Sequence, residues 1–483
     1  MSQAIILQRS KLFVPLCVVL GVLAVVCSAV AQEGASGLRY AAAANNSVTA
    51  SPVDRLFEEG FALQKAQKTD EAIKKYLLAL EADPDHVRTL YEIGWSYYVL
   101  QRWQDVVNTW ERVLELQPKH PEAARFLAEA RANFRLDQAV PADPNDLAAL
   151  GPDAIAPKEG GTIRFALGGD TMLGSPLSRS GLPKDGGGSL LDLFRDEMRA
   201  ADITFLNLEG VLLDSGRSHK CADDSKSCYA FRSPTAYVDH LVSAGVDVVS
   251  VANNHANDFG SEGLQSTRAT LAAAGLLYSG PSGHETIMEH DGVRIGLLAF
   301  STSPGQNDLR RIAAAQVLVS ELAAKTDLVV VSFHGGAEGS EAQHVLGTEE
   351  TFYGEDRGNV AAFAHAVIDV GADLVVGHGP HVLRGVEIYR QRLVFYSLGN
   401  FCTYGGFNLR GPLGLTMLAV VDLYRDGRFA GGKLLPGRQV PPGIPRQDPE
   451  REAIRTIRSL SQADLAATAP TILDDGTVLW EGR

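Results

Sequence analysis

Ile163-Arg164-Phe165-Ala166-Leu167-Gly168-Gly169-Asp170-Thr171-Met172-Leu173-Gly174 is an apolar, β-rich run that breaks on two glycines and ends in a carboxylate. Glycine lets backbone come close to its surroundings, and the segment just past a strand is where open α/β sheets collect ligands. The same grammar recurs down the chain. Ile203 to Leu206 leads into Asn207-Leu208-Glu209-Gly210, and Val246 to Val251 into Ala252-Asn253-Asn254-His255-Ala256-Asn257-Asp258-Phe259-Gly260. Leu328 to Phe333 leads into His334-Gly335-Gly336-Ala337-Glu338, and Leu374 to Val376 into Gly377-His378-Gly379-Pro380-His381. With Ile295 to Phe300 and Leu393 to Ser397, these runs alternate with amphipathic helical stretches, which predicts βαβ units and sheets covered by helices.

Five strand ends therefore deliver Asp, Glu, Asn and His, with no thiolate among them. Such oxygen and neutral nitrogen donors suit Mn, Fe or Zn. Each residue alone has a plainer reading: Asp170 could cap a following helix, and any single histidine could be satisfied by a backbone carbonyl. Joint arrival at one sheet edge is what those readings do not absorb, because convergent titratable groups are costly without a function. Two divalent ions about 3.5 to 4 Å apart need a bridging carboxylate, which gives Asp170 and Glu209 a reason to sit on separate strands. His219, His284, His290, His344 and His365 lie away from the strand ends and are expected to be structural or exposed.

The chain has 483 residues, enough for about two or three domains. It is 45% hydrophobic and 21% charged, close to an ordinary folded protein. Its net charge of −14 argues against a nucleic-acid partner and requires a local cationic device for any anionic substrate. Arg9 and Lys11 precede an apolar run from Leu12 to Val26 and then Ala29-Val30-Ala31, so residues 1–31 read as a signal peptide or an uncleaved membrane anchor. The expected location is periplasmic or at the cell surface. In that oxidising setting Cys221 and Cys228, close together in a polar loop, are expected to pair, and Cys402 after an apolar strand to be a buried thiol.

Residues 32–52 are low in complexity and read as disordered. From there the chain repeats itself every 34 residues, the length of a tetratricopeptide repeat. Leu56, Gly60, Leu63, Ala72, Tyr76, Ala79 and Pro84 are answered by Leu90, Gly94, Tyr97, Val106, Trp110, Val113 and Pro118. Gly60 and Gly94 would let paired helices approach, the aromatic would fill the groove, and the proline would end the second helix. Pro121 to Leu136 reads as a capping helix, which sets a helical module at 53–136 that would recruit protein partners. A Pro/Ala/Asp/Gly-rich linker follows at 137–160.

The ordered motifs GGDTMLG, NLEG, ANNHANDFG, HGGAE, GHGPHV and YSLGNF, from about Gly161 to Leu423, resemble the CapA family of capsule and poly-γ-glutamate synthesis proteins, whose fold is that of calcineurin-like metallophosphoesterases. The resemblance implies a multidomain chain: the α-helical repeat module, then at 161–440 an α/β domain with a β-sandwich flanked by helices, then a C-terminal extension at 441–483. It implies a metal-dependent hydrolase of phosphoester type acting on an anionic polymer or phosphoester in the cell envelope; a non-catalytic assembly or export subunit is the alternative. Asp170, Glu209, Asn254, His334, His378 and His381 would hold divalent metal, two ions of Mn, Fe or Zn, with Glu209 the bridge and a catalytic group. His255 would be the general acid. Asn207, Asn253, Asp258, Glu338 and Asn400 would face the substrate. Two departures stand out: Met172 occupies the place of a metal-binding histidine in the wider phosphoesterases, and two residues rather than one separate His378 from His381.

Overall fold

The computed structural model describes residues 5–6, 51–140 except 67, isolated positions between 141 and 150, and 161–480 except 179, 219 and 221–228. The apolar run from Leu12, the low-complexity stretch up to residue 50, His219 and the Cys221–Cys228 pair lie outside the described residues. Among the described residues no helix is long and apolar enough to cross a membrane. The chain divides into two compact units, 8–124 and 125–483 together with 1–7.

The first unit consists of helix pairs. Helix α1 (Pro52–Lys65) starts on Ser51, whose hydroxyl accepts from the Asp54 amide at 3.0 Å, with Pro52 at the first turn where its missing N–H costs nothing. It packs on α2 (Thr69–Ala82), and α3 (Val87–Val99) packs on α4 (Trp103–Leu116). The 34-residue period is thus realised as two helical hairpins. A Cβ on Gly60 would fall 2.7 Å from Tyr76 Cε1, and one on Gly94 would collide with the Trp110 ring. Both aromatics are fully buried, so glycine and ring fit each other as the repeat predicts. Helix α5 (Pro121–Ala139) runs across the division between the units, and from Arg125 onward it belongs with the second. There Leu136 enters the core and Arg135 pairs with Glu321 at 2.7 Å.

The second unit carries strands β1 (Thr162–Met172), β2 (Ile203–Leu208), β3 (Val248–Ser250), β4 (Leu277–Ser279), β5 (Thr286–His290), β6 (Val293–Ser301) and β7 (Leu328–His334). Next come β8 (Leu374–His378), β9 (Val386–Tyr389), β10 (Arg392–Phe395), β11 (Asn400–Thr403), β12 (Leu415–Tyr424) and β13 (Phe429–Val440). All seven apolar runs are strands. One sheet runs β13-β12-β1-β2-β3-β4, with β11 also on β1; the other runs β5-β6-β7-β8-β10-β9. Both are mixed: β1 to β4 are parallel and β12 antiparallel, and β6, β7, β8 and β10 are parallel between antiparallel edges. One core joins the two sheets, with Phe165 and Phe205 from the first and Ile295, Val330 and Phe395 from the second. The outer faces are covered by helices, through Met198, Leu241 and Leu271 on one side and Leu318 and Phe363 on the other. That is a β-sandwich flanked by helices. Residues 441–480, set apart in the sequence as an extension, are part of it: Ile444–Gln447 pairs with β13, and Ile454 and Ile457 of the helix Glu452–Asp464 enter the shared core.

The strands run further than the sequence predicts. Apolar character stops at Leu167, yet β1 continues to Met172 through an irregularity between Leu167 and Asp170. Glycines permit this: a Cβ on Gly169 would collide with the Gly399 carbonyl oxygen, and that oxygen accepts from the Asp170 amide at 2.9 Å. Gly169→Ala is expected to destabilise the unit by about 1–3 kcal/mol or more, because backbone must part from backbone to admit a methyl group. A urea midpoint equal to wild type would contradict that close approach. Cys402 on β11 is a free thiol, fully buried, and burial pushes it up to about 12. Native protein should therefore leave Cys402 unlabelled by a thiol reagent at pH 8 and label it in urea, as peptide mapping would read.

Candidate metal centre

Register brings the polar residues together. Asp170 on β1 lies opposite Asn207 on β2 and Asn400 on β11, so one rung of the first sheet reads Asn207, Asp170, Asn400. In the second sheet His334 on β7 lies opposite His378 on β8. Side chains on one rung are held by the inter-strand spacing of about 4.8 Å, which is the length scale of a shared ligand. The loop after β8 completes the set, with His381 in a left-handed conformation at φ 60°. A bulky residue rarely accepts that conformation, so its place is imposed by its surroundings.

Asp170 is the hub. It is fully buried, accepts from the Asn207 side-chain amide at 2.8 Å and bonds His381 Nδ1 at 3.0 Å, with His378 Nδ1 at 3.6 Å and His334 Nδ1 at 3.8 Å. Burial opposes its ionisation, but the hydrogen bond and charge of His381 outweigh burial and hold the carboxyl below the usual range. Burial pushes the other two rings down, His378 to about 4 and His334 well below its ordinary value, so both are neutral and able to donate a lone pair. His381 is raised: burial would lower it, but the carboxylates around it prevail. Its Nε2 stands 3.6 Å from Glu209 Oε1 and 3.7 Å from Glu338 Oε2. Burial lifts the Glu209 carboxyl well above its usual range, with the negative charges of Asp170 and Glu338 adding to the rise.

Asp170, Glu209 and His381 each place one ligand atom within 4.8 Å of the other two, all buried. Around them, buried polar atoms lack hydrogen-bond partners: both oxygens of Glu209, Nε2 of His334, both ring nitrogens of His378, and the side-chain oxygens of Asn254 and Asn400. An unpaired buried polar group costs about 1–3 kcal/mol, so this set is expensive unless something fills it. Oxygen and imidazole donors of this kind fit a divalent cation.

His255 is oriented from behind. Its Nδ1 bonds Asp258 Oδ2 at 2.7 Å, its amide donates to Asn253 Oδ1 at 3.1 Å, and its Nε2 faces Glu209 Oε1 at 3.9 Å. Burial lowers the ring's proton affinity, opposed by Asp258. Asn253 donates to the Leu208 carbonyl at 2.9 Å and to Asn207 Oδ1 at 3.3 Å, and Asn400 donates to the Leu413 carbonyl at 3.1 Å. Asn207, Asn253, Asp258 and Asn400 thus have protein partners that brace the site, and Glu338 pairs with Arg357 at 2.9 Å.

Several neighbours went unread in the sequence. Lys220 bonds Asp258 Oδ1 at 2.6 Å and the Asn254 carbonyl at 3.1 Å. Phe231 lies 4.3 Å, centroid to centroid, from His255, and Phe407 lies 5.0 Å from His381. Arg384 is buried and bound to both oxygens of Glu350. His284, His290, His344 and His365 have other partners, namely Tyr278, Asp202, Asp464 and Glu387.

Comparison with known proteins places residues 164–404 under the family model described as bacterial capsule synthesis protein PGA_cap. The chain is 26% identical over 264 residues to the capsule biosynthesis protein CapA of Bacillus anthracis, covering 52% of this chain and 62% of that protein. It is 30% identical over 276 residues to a probable polyglutamine synthesis accessory protein of Mycobacterium tuberculosis, covering 50% of this chain and 67% of that one. Among solved structures, a 5'-nucleotidase precursor from Thermus thermophilus aligns at TM-score 0.34 and 15% identity over 62% of this chain and 59% of that one. The chain spans 62% of the Bacillus anthracis relative's length, and its two sheets and buried donor set lie inside or beside the matched segment. By its sequence from Arg164 to Tyr404, the chain belongs to the bacterial capsule synthesis protein family PGA_cap, the CapA proteins.

Proposed function

We propose that the protein is a metal-dependent hydrolase of phosphoester type that works in the cell envelope on the synthesis of a capsule or poly-γ-glutamate type polymer. The observation that carries this reading is the buried Asp170–Glu209–His381 triad with unpaired donors of His334, His378 and Asn254 beside it. Those six residues would hold divalent metal, two ions of Mn, Fe or Zn, with Glu209 between them. Such ions supply positive charge where an ester bond breaks. The chain's own part is orientation and proton handling. Asp258 accepts a hydrogen bond from His255 Nδ1–H and so fixes the ring, leaving Nε2 toward Glu209 to carry a proton to the leaving oxygen. Lys220 holds Asp258 in turn, and Asn207 fixes the Asp170 carboxylate.

A second reading, a non-catalytic assembly subunit, is favoured by Met172, a buried thioether at the position where the wider phosphoesterases carry an imidazole. In that reading the 34-residue units are tetratricopeptide repeats that recruit export partners. Purified full-length protein separates the two. Stoichiometric divalent metal with turnover of a model phosphodiester supports the hydrolase; stoichiometric metal with no ester turned over supports the subunit. Protein that binds no divalent metal would sink both site assignments.

A further inference from the structure

The segment His334 to Glu338 lies against two fully buried arginines that use their donors very differently. Arg384 donates to the Ala342 carbonyl at 2.7 Å, the Ala337 carbonyl at 3.3 Å and both Glu350 oxygens at 2.9 and 2.7 Å. Arg357, on the short strand Glu355–Gly358 of a hairpin with Glu350–Phe352, has a side chain only 2% exposed. Its Nη2 stands 2.9 Å from Glu338 Oε1, yet Nε and Nη2 have no hydrogen-bond partner, and neither has Glu338 Oε1. A guanidinium offers five N–H donors in a planar fork, and leaving those of Nε and Nη2 buried without a hydrogen bond is costly. Arg384, equally buried, is bonded through Nε, Nη1 and Nη2.

The fork also lies next to the metal triad. Glu338 reaches Arg357 with one oxygen and stands 3.7 Å from His381 Nε2 with the other. The hairpin is fixed to the same segment by backbone, since the Gly336 amide donates to the Arg357 carbonyl at 2.9 Å and the Ala337 amide to Glu350 Oε2 at 2.9 Å. In a chain of net charge −14, a positive fork one carboxylate away from the triad is a cationic device for an anionic substrate.

We propose that Arg357 is an oxyanion anchor, binding a phosphate or carboxylate group of the substrate beside the Asp170–Glu209–His381 triad, with Glu338 as its counterion when no substrate is bound. This rests on the hydrolase reading and names the chemistry its substrate must present. Bidentate recognition of a planar carboxylate or a phosphate is what the arginine fork does and a lysine does not.

The test is a calorimetric titration of full-length protein, with and without saturating Mn²⁺, using inorganic phosphate in one arm and a γ-glutamyl tripeptide in the other. Arg357→Lys is expected to keep the wild-type Mn²⁺ stoichiometry and lose about 10- to 100-fold in affinity for the anion that is the natural group. Loss confined to phosphate assigns a phosphoryl group, and loss confined to the peptide assigns a carboxylate. Because a lone Glu338 could unfold the site, the double variant Arg357→Gln, Glu338→Gln removes both charges and should show the same loss. Unchanged affinity for both anions in folded variants would overturn the proposal, as would wild-type protein that binds neither anion. A variant that loses Mn²⁺ but not the anion would place Arg357 in the metal shell instead and overturn it too. If wild-type protein binds no Mn²⁺ yet binds an anion through Arg357, the anchor stands and the metal reading falls.

Discussion

Asp170→Asn is expected to abolish stoichiometric divalent-metal binding, lowering affinity by about 100-fold or more. The substitution keeps shape and removes charge at the one residue that His334, His378 and His381 all approach. Removing one partner from a buried charged pair costs about 3–5 kcal/mol, and each 1.4 kcal/mol is tenfold in affinity. The carboxylate accepts from Asn207 with one oxygen and meets His381 with the other, whereas an asparagine amide has one oxygen and could serve only one of the two. Elemental analysis after dialysis and titration with Mn²⁺ would measure the effect. An Asn variant that keeps wild-type metal content with affinity within tenfold would remove Asp170 from the ligand set.

Trp110→Ala should strongly destabilise the helical unit while leaving the α/β unit folded. Trp110 is fully buried, its Nε1 donates to the Tyr91 carbonyl at 3.2 Å, and its ring occupies the space that Gly94 leaves open. Truncating a buried tryptophan costs about 3–5 kcal/mol, a large share of what a small helical unit has. Tyr76 and Gly60 make the matching fit one repeat earlier, so the loss cannot be shared evenly: each hairpin has one such ring. Far-UV circular dichroism against temperature should show a helical transition moved down by 10 °C or more on the order-of-magnitude scale of small domains, about 4–8 °C per kcal/mol. A single unshifted transition would show that the ring is not what holds the hairpins together.

Much of this fold is visible in the sequence because its strands are buried on both faces and so read as continuous apolar runs. Phe165, Phe205, Ile295 and Val330 announce their sheets for that reason. The strand ends were less legible. Asp170, Asn207, His334 and His378 look like loop residues because they are polar, but each is a member of a strand, satisfied sideways by the neighbouring backbone. Polarity there marks the side-chain cluster around Asp170 and not an end to the ladder. Lys220 and Arg357 gave no signal at all: one stands alone in a polar stretch, and the other lies in Glu-Thr-Phe-Tyr-Gly-Glu-Asp-Arg-Gly, a segment whose composition suggests a solvated turn. Arg357 is buried and Lys220 exposed, and each is placed by tertiary pairing, with Glu338 and Asp258 respectively, which no local pattern encodes.

The rungs that carry Asn207, Asp170 and Asn400 in one sheet and His334 and His378 in the other have an implication for how such a site can change over time. Distances within a rung are set by the ladder itself, so loops between strands can lengthen, shorten or exchange sequence without moving a donor. A one-residue slip of any of these strands would instead turn its donor to the opposite face, removing it outright. Variation is therefore channelled: the walls around the donors are free to be rebuilt for a new substrate, while the donors persist together or are lost in whole steps.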